Sequence, residues 1–449
     1  MADFNPYRPS EPSEATAGPS PDDGPPTEHA LGESRVVPWA AAWFFFILLS
    51  YSVVRPVRET MGAIAGTMQL QGLMLVSFFV MLVAVPIYSV LVNRLPRRWL
   101  VRIVFHFFCV SLLAFSVAMN AGSESLRVVA ARVFFVWVNV FGLFVTSVFW
   151  SVLADLLSSD QGKRLFGRIA AGGTAGAIAG SLLTSQIATR VPTASLLLLP
   201  IVTLQLGLWC AWRLERVVRL LPDEFGNTGG QTGDQPAAGG LLDGITHVFK
   251  SSYLALICVF LVFVQAAGTH LYFQQAEIVA GAISDHQEKM EFFAYIDFAT
   301  QSLTLIAQLV ISGPLLRRFG VGLTLLVLPV VYLVSFVALA FHGTLVILAA
   351  AMVAARATGY GITVPAREVL FTVVSREDKY KSKSFIDTVV LRGGDAAASQ
   401  VFGSLRNLAG FSFATLNVWA IPAVIVWAWT ALQLGRRQTE LSQQQSTES

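Results

Sequence analysis

Charge is scarce in this sequence. Asp, Glu, Lys and Arg make up 13% of its 449 residues, about half the share of roughly 25% in an average soluble domain. With 54% of residues in the hydrophobic set and a mean hydropathy of +0.62, the chain has more apolar surface than a soluble core can hide, and it reads as an integral membrane protein. A net charge of +3 leaves no basic footprint for nucleic acid. Cysteine is nearly absent: Cys109, Cys210 and Cys258 each stand alone in an apolar run without metal-ligand spacing, as buried small hydrophobes do. No nucleophile with its base, metal cluster or Walker-type loop is visible, so the reading is not an enzyme, with no metal and no cofactor.

What is present is a succession of apolar runs. Residues 1–35 carry Pro6, Pro9, Pro12, Pro19, Pro21, Pro25 and Pro26 among polar residues, as a disordered arm would, and show no signal peptide. Twelve segments of spanning length follow, at about 20 residues for a bilayer core: 37–60, 70–92, 100–119, 128–157, 166–187, 194–212, 253–275, 292–316, 321–340, 345–374, 384–408 and 413–434. Without period-2 alternation, each can satisfy its backbone in lipid only as a helix. The predicted class is therefore all-α, with twelve transmembrane helices. Of the 31 basic residues, twenty-one fall in connections on one side. Five lie on the other side, Arg55, Arg58, Arg127, Arg190 and Lys289, and five lie within spans. That asymmetry predicts cytoplasmic termini, and a bacterial inner membrane is the expected location.

The connection 213–252, rich in Gly, Pro and Asp, divides the spans into halves at 36–212 and 253–434, with a tail at 435–449. Repeats cross it. Ser89-x-x-x-Asn93-Arg94-x-Pro96-Arg97-Arg98 after span 2 matches Gly313-x-x-x-Arg317-Arg318-x-Gly320 after span 8, and Lys163 with Gly172 and Gly173 matches Lys383 with Gly393 and Gly394. Twelve spans, two six-helix halves and basic turns after spans 2 and 8 resemble the major facilitator fold, though the family's acid in that turn is Asn93 in one half and Arg317 in the other. In span 5, Gly172, Gly176 and Gly180 recur every four residues, the pattern of close helix packing rather than a nucleotide loop.

A charge near the bilayer centre costs at least about 2.5–3.5 kcal/mol, so those present line a cavity or pair with one another. Arg55 and Arg58 share a face of span 1, with Glu59 beside them and Pro56 interrupting the helix. Arg356, Arg367 and Glu368 lie in span 10, and Asp387, Arg392 and Asp395 in span 11. The basic excess points to an anionic substrate, while pairs such as Arg367 with Glu368 fit intramembrane gates equally. His270 with Gln265, Gln274 and Glu277 offers a polar lining on span 7, with Gln275 as a further polar neighbour.

Three stretches resemble the ATP/ADP translocase family, in its free-living bacterial branch. The first is Ser50-Tyr51-Ser52-Val53-Val54-Arg55-Pro56-Val57-Arg58-Glu59. The second is Phe149-Trp150 with Asp155 and Lys163-Arg164. The third is Pro365-Ala366-Arg367-Glu368, Glu377-x-Lys379-x-Lys381-x-Lys383, then Ile386-Asp387 and Arg392. The resemblance implies exchange of nucleotides, with Arg58 and Arg367 in place of family lysines. Asp395 stands where the exchangers carry a further lysine. An inverted charge there repels a polyphosphate, which leaves open a less highly charged anion or a nucleotide-like solute.

The combined expectation is a monomeric major-facilitator-type secondary transporter or exchanger, surrounded by membrane lipid and working by alternating access on an anionic or nucleotide-like small molecule. Arg55, Arg58, Arg356, Arg367 and Arg392 are the candidate substrate contacts. Glu59, Asp155, Glu368, Asp387 and Asp395 are the candidate ion-pair or gating groups. The alternative is a non-transporting assembly or sensor subunit whose buried charges are structural.

Overall fold

The computed structural model describes residues 28–120, 123–157, 159–220, 251–374 and 385–448, apart from the side chains of 28–33, 159–160, 162–164, 387–388 and 445–448. The proline-rich stretch to residue 27, the connection 221–250, and Arg376, Lys379, Lys381 and Lys383 lie outside the described residues, as do the side chains of Lys163, Arg164 and Asp387. Every regular element among the described residues is helical.

Eight uninterrupted helical stretches are long and apolar enough to cross a membrane. Two of them are double. Glu28–Arg94 breaks at Gly66 (φ 74°, ψ 168°) into α1 (28–65) and α2 (67–94), and the stretch from His286 to Phe341 breaks at Gly320 (φ 72°, ψ −178°) into α8 (286–319) and α9 (321–341). Positive φ is nearly free for glycine and strained for other residues, which is why the chain reverses at these two positions. The remaining apolar helices are α3 (Arg97–Asn120), α4 (Glu124–Leu156), α6 (Leu198–Arg219), α7 (Ser252–Ala282), α10 (345–373) and α12 (Phe413–Glu448).

Two further helices, α5 (Ser159–Ile187) and α11 (386–407), are too polar to be counted by composition. Among the described residues they bring the membrane-length helices to twelve, in the order of the twelve apolar runs. The helical ends exceed those runs: α1 already begins at Glu28, and α12 continues through the segment expected as a tail. An even number of crossings puts both described ends on one side, the terminal face.

Packing falls into two main apolar cores. One draws on residues between Val36 and Leu214 together with Met290 of α8; the other on residues between Tyr253 and Leu434 together with Ala63 of α1. A small third cluster joins them, with Leu70 and Phe135 from the first set against Phe273 and Ala276 from the second. Polar contacts reinforce this junction. The Thr67 hydroxyl donates to Asn407 (2.7 Å), and the Gln71 amide donates to Gln400 (3.1 Å) and Ser404 (3.3 Å). Gln186 reaches Tyr295 (3.3 Å), and Gln287 reaches the Val191 carbonyl (3.2 Å). All of these positions are in the leaflet away from the termini. Between described residues, the two sets of six helices are thus clasped on the far face.

The glycine series of α5 lies along α1. A Cβ on Gly172 would stand 2.6 Å from the Ala41 carbonyl oxygen, one on Gly180 2.6 Å from that of Leu49, and one on Gly176 would collide with the Phe45 carbonyl. Small residues let the two backbones approach this closely, and van der Waals contact replaces the hydrophobic drive that lipid cannot supply. Because backbone rather than a flexible side chain is met, Gly176→Val is expected to destabilise the protein by about 1–3 kcal/mol. Gly167→Ala, where a Cβ meets nothing within 4 Å, should melt in detergent at or above the wild-type temperature.

Candidate functional site

Between the two sets of helices is a cavity of about 620 Å³, lined from α1, α2, α4, α5, α8, α10 and α11. Its size is within the usual range of about 300–1,000 Å³ for small-molecule sites. On α1, Tyr51, Ser52, Arg55 and Arg58 line it, and their spacing puts them on one helical face. Pro56 lies in the same turn and has no N–H to offer the carbonyl four residues back. The hydroxyl of Thr60 donates to the carbonyl of Pro56 itself, at 2.8 Å.

Behind the Arg55 wall, five side chains from four helices close into a ring. Arg55 Nε stands 3.6 Å from Asp297 of α8, and Asp297 stands 3.3 Å from Arg356 of α10. Arg356 donates to the Gln275 carbonyl oxygen on α7 (3.2 Å), the Gln275 amide donates to Glu59 (3.1 Å), and Glu59 returns to Arg55 at 4.0 Å. Glu59, Gln275 and Asp297 are each at most 2% exposed. Two cations and two anions balance, and the neutral amide supplies one donor and one acceptor where a direct charge contact is not made. Because α1 belongs to one set of helices and α7, α8 and α10 to the other, the ring also ties the sets together.

Arg58 is different. It makes no hydrogen bond, and no carboxylate among the described residues lies within 4.0 Å; its guanidinium sits 4.8 Å from the centroid of Phe135. On the opposite wall, Arg392 faces the cavity one turn before Asp395, whose Oδ1 accepts from the Thr269 hydroxyl at 3.1 Å. Gln265 donates to the Leu391 carbonyl (3.2 Å) and helps hold that turn in place.

Irregular backbone gathers on the same side. π-helical turns occur at Ala307–Ile311 of α8 and Gly359–Thr363 of α10, and Gln308 from the first donates to the Tyr360 carbonyl of the second at 3.2 Å. Both residues line the cavity. Such single turns are rare and mark functional positions in helices. A third, Ile386–Val390, opens α11.

The other sequence candidates lie elsewhere. Arg367 and Glu368 approach each other at 3.4 Å towards the terminal face, outside the cavity lining. Asp155 pairs with Arg97 at 2.8 Å on that face. His270 and Gln274 form a buried cluster with Asn417 of α12, at 2.9 and 2.8 Å, and the histidine ring stacks on Phe402. Glu277 takes a two-pronged contact from Arg406 at 2.9 and 2.7 Å.

Asp297, which was not among the sequence candidates, and Gln275, noted only as a polar neighbour of His270, complete the ring. An aspartate inside the eighth apolar run was signal enough for the first. Nothing in the sequence distinguished Gln275 from its neighbour Gln274.

A central cavity between two sets of six helices, with buried charge on its wall, is the layout of a secondary transporter. Residues 40–390 match the Major Facilitator Superfamily. The chain belongs to that superfamily.

Solved structures with this fold agree over nearly the whole length. A bacterial homologue of the human lysosomal transporter Spinster, inward-facing and unoccupied, superposes with a TM-score of 0.55 at 16% identity, covering 91% of this chain and 94% of that one. A mutant of the nucleoside transporter NupG gives 0.55 at 13% identity, covering 90% and 99%. A D-xylose-proton symporter gives 0.62 at 10% identity, covering 90% and 97%. No curated protein matches the chain. The major facilitator protein described here is thus a multi-pass membrane transporter rather than an enzyme.

Breaking one member of a buried ion network strands its partner, at about 3–5 kcal/mol. Asp297→Asn should therefore lower the melting temperature in detergent markedly. Asp297→Asn combined with Arg356→Gln, which removes a charge of each sign, should recover most of the loss. Equal melting of the single variant and the wild type would show that the ring carries no stability.

Proposed function

We propose that this transporter moves an anionic, nucleotide-like metabolite by alternating access of its two six-helix halves, as an exchanger in a bacterial inner membrane with the terminal face cytoplasmic. The observation that carries the reading is Arg58 on the cavity wall, which has no carboxylate within 4.0 Å among the described residues. A half-buried guanidinium with no acid in direct contact is a costly feature unless a ligand supplies the charge.

The surrounding charges support a modest rather than a large anion. Arg55 and Arg356 are balanced by Glu59 and Asp297, and Arg392 is one turn from Asp395. What remains is about one positive charge at Arg58, with Arg392 free to add a second contact. That suits a single phosphate or carboxylate group better than a polyphosphate, which would meet Asp395. Tyr51, Phe78 and Tyr360 add aromatic surface, while Asn139, Thr146 and Gln301 add hydrogen-bonding groups. Together they suit the uncharged part of a nucleotide-like solute. The likeness of the span 1 and span 10–11 stretches to ATP/ADP translocases supports the substrate class, and the acid at 395 argues against ATP itself.

Clasping of the far face leaves the cavity to be reached from the terminal face, so the state corresponds to an inward-facing transporter. Binding promotes the reverse state only if the substrate engages groups of both halves. Arg58 belongs to one half and Arg392 to the other, which makes them the pair to bridge.

The test is uptake and counterflow in proteoliposomes with labelled nucleoside monophosphates, sugar phosphates and dicarboxylates. One of these is expected to be transported, and Arg58→Gln should lower its kcat/KM by about 10- to 100-fold, the worth of a hydrogen bond to a charged group. Arg55 still faces Glu59 in the variant, and its melting temperature in detergent checks that it folds. Absence of uptake in both gradient directions, with no thermal stabilisation by any of the compounds, would favour the non-transporting reading.

A further inference from the structure

A second cavity, of about 340 Å³, lies away from the central one, on the outer flank of α3 and α6 near the terminal face. Its floor is apolar, with Val101, Leu156, Leu208 and Ala211 among the lining residues. Its rim is basic. Arg97 is held by Asp155 (2.8 Å), and Glu215 is shared between Arg98 and Arg219. Arg102 has no carboxylate within 4.0 Å among the described residues; its guanidinium lies 5.8 Å from the Trp99 ring. Arg213 lies over Trp39 and Trp209, at 5.3 and 5.6 Å, and Arg216 over Trp212 at 3.8 Å. Three arginines, Arg97, Arg98 and Arg102, thus line the groove, and the first two are met by acids while Arg102 is not.

The flank faces the acyl phase. Trp209 and Trp212 of α6, which line the groove, are large, apolar and exposed. Arg102 is five residues into α3, about 7.5 Å along the axis, a depth at which a long side chain reaches the headgroup level. Tryptophans at that level are typical of membrane interfaces. A basic rim above an apolar trough open to the side matches one kind of molecule in both charge and shape. A free phosphate would leave the trough unfilled, and a zwitterionic lipid would leave the basic excess uncompensated.

We propose that this groove binds an anionic phospholipid, its phosphate on Arg102 and an acyl chain along the floor between α3 and α6. The site is independent of the central cavity and of what that cavity carries. Its rim includes the Arg97–Asp155 pair that joins the turn after α2 to the end of α4, so an occupant would brace the terminal face of the first six-helix set.

The test uses the full-length protein in neutral detergent, with phosphatidylglycerol and phosphatidylcholine of identical chains, and bound lipid counted by native mass spectrometry. Phosphatidylglycerol should be retained preferentially. Arg102→Gln should cut that preference by about fivefold, the effect of one basic residue on an anionic lipid. Arg317→Gln, an exposed arginine at the turn after α8 and away from the groove, should leave it unchanged. Ala211→Phe, which fills the floor with no change of charge, should remove retention while the protein still elutes as a single species. Inorganic phosphate should not displace the lipid. Equal retention of the two lipids, or equal effects of the two arginine variants, would overturn the proposal. Displacement by phosphate with Ala211→Phe silent would also overturn it and identify a small-anion site.

Discussion

Four formal charges and one amide close into a ring at the level where the two helix sets meet, and the central cavity takes its character from that closure. In an apolar phase, an isolated carboxylate such as Asp297 would be untenable. Held between Arg55 and Arg356 it can remain charged, and each arginine is in turn committed. The consequence for the cavity is subtraction. Of the arginines that sequence alone makes candidates for an anion, Arg356 is neutralised behind the wall and Arg55 largely so. Arg58 and Arg392 are left on the wall without a carboxylate within 4.0 Å among the described residues, so the cavity presents less positive charge than the total of basic residues suggests.

The same contacts hold the far face shut. The ring spans α1 and α7, α8 and α10, and the apolar cluster around Phe135 and Phe273 and the Gln71–Gln400 amide contacts lie beyond it. Separating the two sets on that face means giving up charged and neutral contacts together, so the ring is a structural tie between them. By contrast, the glycine face that presses α5 onto α1 lies within one half. Contact between backbones leaves little room for sliding, and it provides the rigid body that rocking between states requires.

The twelve spans were legible because lipid imposes a uniform demand: each crossing needs a run of apolar residues of similar length, whatever its neighbours are. Where that demand relaxes, composition loses the helix. α5 and α11 are the two whose mean polarity hides them, since one packs its glycines on a neighbouring backbone and the other gives Arg392 and Asp395 to the cavity. Their spans, 166–187 and 384–408, were still legible as runs of about 20 mainly small and apolar residues. Arg55, Arg58, Arg392 and Asp395 were legible as cavity residues for a related reason, that a charge within an apolar run needs either water or a partner.

Which of those two each charge finds is not written locally. Asp155 meets Arg97 at the surface, Glu277 meets Arg406, and His270 and Gln274 bond to Asn417 away from the cavity, although all four residues read as functional in a linear scan. Sequence by itself determined the membrane class, the number and order of helices, the glycine face of α5 and the presence of a buried basic excess. Each follows from spacing along one chain segment. Tertiary structure alone decided that Asp297 and Gln275 close the ring, that Arg58 has no carboxylate within 4.0 Å among the described residues and that Arg102 rims a groove. Those are outcomes of distances between residues up to 242 positions apart in the chain, and in a low-dielectric interior an ångström of separation decides whether a charge is spent on the fold or left for a ligand.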